Sequence, residues 1–255
     1  MVGMVALPNL LVIGAMKCGT TALHRYLGEH PQISMAGAKE VNFFSGPEQA
    51  PASGPQTWWM TGQWHRGLDW YASLFDPAAP VRGESSPAYT SPDQTEAVGR
   101  IAATLPHARL LYVVRDPADR ALSQYAHHRR DGAERRPVEE ALLDPASQYV
   151  ARSRYHERLA PYLEHFQLEQ VHVVVQERLL HDRRRELARC FAHAGADPDW
   201  WSDRLEQRWH VNPEASSVPP DLRRRFDERV RDDVEALRDL LGDGLREWDR
   251  AAPLV

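Results

Sequence analysis

With 255 residues, 26% of them charged and 42% apolar, the chain is long enough to bury one large core and has the balance of an ordinary globular protein rather than a disordered or membrane-embedded one. A formal net charge of −5 argues against the broad basic surface of nucleic-acid and anionic-membrane binders, so any anion site has to be local. Cys18 and Cys190 are too few and too far apart for a disulfide framework or a zinc cluster, which fits a reducing cytoplasm.

The stretch from Val5 to Met16 is apolar but short, contains Pro8 and Asn9, lacks a basic run before it and ends in Lys17 and a glycine loop. It reads as a buried strand rather than a leader or a membrane-inserting segment. Leu10 to Gly14 is that strand, an unbroken apolar run of the kind covered on both faces of a parallel sheet. Thr20 to Glu29 is predicted to be its helix, stopped by His30 and Pro31, and Ile33 to Ala36 is a weak second strand. Pro47 to Gly62, rich in Pro, Gly, Ser, Gln and Trp, has no sustained period and reads as a long loop.

Val81 to Glu84 is a short strand, turned by Ser85, Ser86 and Pro87 and followed by a helix from about Asp93 to Leu105. Arg109 to Val114 is the clearest strand, and Asp116 with Pro117 starts a helix running to about Arg130, an acidic N-cap followed by proline at the first helical position. Tyr149 to Phe166 has helical spacing, Val171 to Val175 is another buried strand, and the tail alternates helices with an irregular stretch from Arg208 to Pro220. Strands separated by helices imply right-handed βαβ units and a single α/β domain over 1–255, its central, mostly parallel sheet flanked by helices.

Between the first strand and its helix, Gly14, Lys17, Gly19, Thr20 and Thr21 form a loop whose amides can converge on a phosphate-type anion. The spacing of Gly14, Gly19 and Thr21 fits the Walker A pattern, but Thr20 occupies the lysine position and the only lysine, Lys17, sits inside the loop, which disfavours ATP. The bland alternative is a glycine turn with a solvated lysine. Arg115 ends the clearest strand, and Ser123 lies two turns into the next helix, so the two can reach one phosphate lodged at that helix start. Asp116 reads as an N-cap, with a Mg²⁺-holding Walker B acid as the rival, and Arg120 as a partner of Asp116 or Asp119.

Lys17 to Leu23 resembles the 5′-phosphosulfate loop of sulfotransferases that use 3′-phosphoadenosine 5′-phosphosulfate (PAPS), and Arg115 to Tyr125 resembles their 3′-phosphate motif, in matching order and separation. Lys39 and Glu40 followed by Phe43 and Phe44, the Gly67 to Phe75 stretch, Tyr155 and His210 to Asn212 look like the heparan-sulfate-type branch and its bacterial relatives, so the resemblance spans most of the chain. It implies a P-loop-NTPase-like sulfotransferase fold, PAPS as donor, adenosine 3′,5′-bisphosphate (PAP) as product, and no metal. It also implies cofactor contacts from Lys17, Cys18, Gly19, Thr20, Thr21, Ala22, Arg115, Ser123, Trp209 and Asn212, and acceptor contacts from Lys39, Phe43, Phe44, Trp70 and Tyr89.

Glu40, after the second strand and beside aromatics, is the candidate general base, with Lys17 as the catalytic cation; the plain alternative pairs Glu40 with Lys39. His24, His65, His127 and His128 are alternative bases. The loop at about 45–66, with Trp58, Trp59 and Trp64, is a candidate acceptor-side lid. Two features depart from the branch: Ser85 stands where a lysine usually follows the glutamate at Glu84, and the stretch after Asn212 lacks the usual glycine and basic residue, for which Arg208, Arg223, Arg224 or Arg225 could substitute. The expected acceptor is a hydroxyl or amine of a carbohydrate, lipid or small natural product, with no nucleic-acid partner and no stable membrane insertion; the oligomeric state stays open. A P-loop kinase or NTPase and an inactive nucleotide-binding relative are the rival readings.

Overall fold

A computed structural model describes residues 6–46, 61–207, 209 and 218–249. The apolar runs pair as five parallel strands: β1 (Leu10–Gly14), β2 (Ile33–Met35), β3 (Val81–Ser85), β4 (Arg109–Val114) and β5 (Val171–Val175), in the spatial order β2-β3-β1-β4-β5. β1 is central, and Leu10, Leu11, Val12 and Ile13 are wholly buried, as their lack of polar alternation requires. Leu10 pairs with Gly83 of β3 on one side and with Arg109 of β4 on the other; the β1–β4 register slips between Val12 and Gly14, where β1 gives way to its loop.

Ten α-helices among the described residues cover the sheet: α1 (Thr20–Glu29), α2 (Gly67–Ala72), α3 (Ala97–Thr104), α4 (Pro117–Arg130), α5 (Val138–Leu143), α6 (Gln148–Ala151), α7 (Tyr155–Leu163), α8 (Gln176–His181), α9 (Arg183–Ala194) and α10 (Pro220–Leu241). α1 and α4 keep the bounds their sequence signals predict. The Tyr149 to Phe166 stretch does not form one helix. It breaks between α6 and α7 because Arg152 turns inward to Ser91 and Asp93, and the Ser153 hydroxyl donates to the Pro117 carbonyl and accepts from Arg120. A smaller second core, including Tyr149, Leu222, Phe226 and Val230, packs α10 over α4, α5 and α6.

Because β1 and β4 are neighbours and parallel, the chain leaves both at the same edge of the sheet, the edge at which open α/β sheets bind ligands. The candidate lid around 45–66 lies largely outside the described residues, as do Trp58, Trp59 and Asn212.

Candidate active site

Glycine is needed at the ends of the first loop for two different reasons. At Gly14 a β-carbon would overlap the Thr90 hydroxyl and stand 3.0 Å from the Tyr112 ring, so this residue permits close packing against β4 and the turn after β3. Gly19 has φ 95, the left-handed region, and a β-carbon there would meet Gln176 Nε2 at 2.9 Å. Lys17 also adopts a positive φ, 69, between them. α1 then begins with no side-chain cap and no acid in its first turn, leaving the amides of Thr20, Thr21 and Ala22 without intrahelical acceptors at the positive end of the helix.

The Cys18 side chain points into the core, fully buried, so only its backbone can serve an anion; burial pushes the thiol up to about 11, which keeps it protonated. The Tyr155 hydroxyl donates to the Arg115 carbonyl at 2.7 Å, and the Cys18 thiol sits 3.4 Å from the Tyr155 hydroxyl oxygen. With the tyrosine proton committed to Arg115, the Tyr155 oxygen can only accept from Cys18, whose thiol also faces the Met16 carbonyl at 3.8 Å. One buried phenol therefore ties the end of β4 to the loop after β1. The Arg115 guanidinium and the Ser123 hydroxyl, half-buried beyond β4, have no hydrogen-bond or ion-pair partner among the described residues.

Lys17 feels Arg130, Asp131, Arg115 and Glu40, so these groups form one charge cluster; burial, and next the Arg130 charge, hold its amine below the usual lysine range. His127, one helical turn past Ser123 on α4, faces the same cluster, and burial followed by the Lys17 charge lowers its basicity. Glu40 stands at the mouth of β3, its amide donating to the Ser85 carbonyl at 2.9 Å, and its carboxylate forms an ion pair with Lys39. The pairing with Lys39 and the proximity to Lys17 hold together. His24 on α1 lies nearby, its Nδ1 3.0 Å from Ser85 Oγ, and burial with the Lys39 and Arg25 charges holds it at about 4, so it is neutral at neutral pH. His128 instead contacts the Tyr149 hydroxyl at 2.9 Å and is buried.

Several expectations are corrected by packing. Phe43 and Phe44 are wholly buried, Phe43 stacking on Tyr71 at 4.1 Å between ring centres, and Tyr89 is buried with its hydroxyl on Glu84 at 2.6 Å; none of the three presents a surface to an acceptor. Trp70 is half-buried with the Arg66 guanidinium 3.8 Å above its ring. Trp209 packs beside α1 under Arg25, at 4.3 Å. Asp116 caps α4 by accepting from the Asp119 amide at 2.9 Å, and both its carboxylate oxygens accept from Arg223, which also pairs with Asp119. The Walker B reading of Asp116 fails for that reason, and Arg223 is committed to α4 rather than free to close over a ligand. Arg120 pairs with neither aspartate: fully buried, it donates to Ser153, Gln124 and the Tyr149 carbonyl.

The described residues thus define an α/β protein in which the open first amides of α1 and the unpaired Arg115 and Ser123 come to the sheet edge where β1 and β4 end. The chain belongs to the sulfotransferase family, whose profile matches residues 8–203, and folds as a single α/β domain. A crystal structure of a sulfotransferase from Alicyclobacillus acidocaldarius is 31% identical, with a TM-score of 0.79, covering 96% of this chain and 99% of its own. Mouse sulfotransferase SULT7A1 complexed with PAP shares the fold at a TM-score of 0.56 and 15% identity, over 98% of this chain and 90% of its own. The Caenorhabditis elegans bifunctional heparan sulfate N-deacetylase/N-sulfotransferase 1 is 30% identical over 190 residues, 68% of this chain and 20% of that protein. The membrane-associated sulfotransferase kil1 of Dictyostelium discoideum is 35% identical over 127 residues, 48% of this chain and 23% of that protein. The chain spans about a fifth of the length of these two curated relatives.

Proposed function

We propose that this sulfotransferase takes its sulfuryl group from PAPS, passes it to a hydroxyl or amine of a carbohydrate, lipid or small natural product, and releases PAP. The observation that carries the reading is the adjacency of two uncommitted anion sites, the α1 amides with Lys17 at one and Arg115 with Ser123 at the other, fastened together by Tyr155. The presence of PAP in the mouse structure of the same fold supports the donor. When bound, PAPS supplies a sulfuryl group attached through a bridging oxygen to a phosphate leaving group.

The chain's part is positioning and charge. Lys17, held half-buried among Arg130 and Arg115, offers its ammonium to the bridging oxygen as negative charge grows there. Arg115 and Ser123 hold the 3′-phosphate, the guanidinium as a planar fork and the hydroxyl as a single donor. Glu40, at the mouth of β3 and within the field of Lys17, takes the proton from the acceptor as the new bond forms. His127 shares that cluster, its imidazole held below the usual histidine range first by burial and then by the Lys17 charge.

Thermal shifts test the donor. A ligand at a hundredfold excess over its Kd adds about 2.7 kcal/mol, so PAP should raise the melting temperature well above ATP or AMP, and equal shifts for all three would remove the assignment. A cytoplasmic location, suggested by a pair of cysteines that are both buried and unbridged, belongs to the same proposal and is checked by cell fractionation.

A further inference from the structure

We propose that Glu84 is a positioning residue for the base-bearing loop: its buried carboxylate orients the Ser86 and Tyr89 hydroxyls so that they accept the backbone amides that hold Glu40 in place. The inference rests on reading Glu40 as the base. Glu84 ends β3, is 0% exposed and has no cation against it among the described residues. A carboxylate in that position is tolerated only when hydrogen bonds replace its water. Three hydroxyls do so: Tyr71 at 2.7 Å and Tyr89 at 2.6 Å on one oxygen, and Ser86 at 2.7 Å on the other.

Each hydroxyl has one proton, and giving it to Glu84 turns the oxygen's lone pairs outward. The Ser86 oxygen accepts from the Asn42 amide at 2.9 Å, and the Tyr89 oxygen from the Phe44 amide at 3.4 Å. With the Glu40 amide on the Ser85 carbonyl at 2.9 Å, alternate residues of the loop are pinned to the segment that follows Glu84. The pinning is needed because Glu40 and Asn42 adopt left-handed backbone, φ 64 and φ 52, without being glycine. Such conformations persist only where the surroundings over-determine them. Tyr71 differs from the other two donors: its hydroxyl serves Glu84 but touches no loop amide, and its ring stacks on Phe43 with or without the oxygen.

That difference supplies the test. Ser86→Ala and Tyr71→Phe each delete one hydroxyl from the same carboxylate, and only Ser86→Ala removes a loop acceptor. Amide exchange across 40–44 should quicken about tenfold or more in Ser86→Ala and in Glu84→Gln, and stay as it was in Tyr71→Phe. kcat for PAP release from PAPS, with N-desulfated heparin or water as acceptor, should fall about tenfold or more in the first two at unchanged KM for PAPS and unchanged PAP affinity. Equal exchange in Ser86→Ala and Tyr71→Phe, or no change in either, would overturn the proposal. If Glu84→Gln fails to fold, the Ser86 and Tyr71 pair decides alone. An unaltered protein that binds no PAP refutes the donor assignment and leaves the exchange comparison standing.

Discussion

The two halves of the site treat their polar groups in opposite ways. Where β1 and β4 end, Arg115, Ser123 and the first amides of α1 are left unpaired among the described residues while the backbone around them is tied down by Tyr155 and by the Ala15 amide on the Val113 carbonyl at 2.7 Å. Where β2 and β3 end, Glu84 takes the hydroxyls of Tyr71, Tyr89 and Ser86, Lys39 takes Glu40, and the paired phenylalanines are sealed in the core. The first half leaves polar groups open, as the proposed anion sites require; the second spends them on holding a loop. Changes in the second half should therefore alter turnover with PAP binding intact, whereas changes in the first should alter PAP binding.

The largest separation is expected from Glu40→Gln, which should cut turnover by about 10²–10⁴ with PAP affinity nearly intact; comparing kcat with PAP titrations checks it, and an active variant would move the base elsewhere. Lys17→Ala should cut turnover by about 10²–10³ and weaken PAP as well, which places it on the binding half. Arg115→Ala removes a charge-assisted contact of about 1.5–3 kcal/mol, or about ten- to hundredfold in PAP affinity. Tyr155→Phe, losing a single neutral hydrogen bond of about 1 kcal/mol, should weaken PAP about fivefold.

A separate expectation concerns how stability, rather than binding or turnover, depends on pH. Burial is the leading cause that holds His24, His128 and His172 at about 4, against about 6.5 when unfolded. Between those values the unfolded chain binds more protons than the folded one, so stability should fall as pH drops from about 6.5 to about 4. Melting curves across that range check the slope, and His172→Phe should flatten it without touching the site.

Much of this architecture is legible in the amino-acid sequence. Unbroken apolar runs at Leu10 to Gly14 and Arg109 to Val114, and the Asp116–Pro117 helix start, are local signals, and the elements form where those signals place them. The paired anion motifs are equally readable because each lies in a short contiguous segment. What escapes depends on partners distant in sequence. Arg120 reads as a neighbour of Asp116, but Ser153, 33 residues on, claims it, while Arg223, 107 residues away from Asp116, takes that acid. Phe43, Phe44 and Tyr89 lie in stretches that look like the family, yet nothing local tells a buried aromatic from one facing a substrate. Tyr155 and Glu84 act as ties only because β1, β3 and β4 stand side by side, an arrangement that no short segment encodes.

The central claim is that one nucleotide spans both anion sites, and calorimetry can ask this directly. PAP and adenosine 5′-phosphate are titrated into the unaltered protein and into Arg115→Ala. One PAP should bind per chain, at least about tenfold more tightly than the 5′-phosphate, and the advantage should vanish in Arg115→Ala while 5′-phosphate affinity holds. A PAP advantage that survives the loss of Arg115, or one that never appears, would contradict the account.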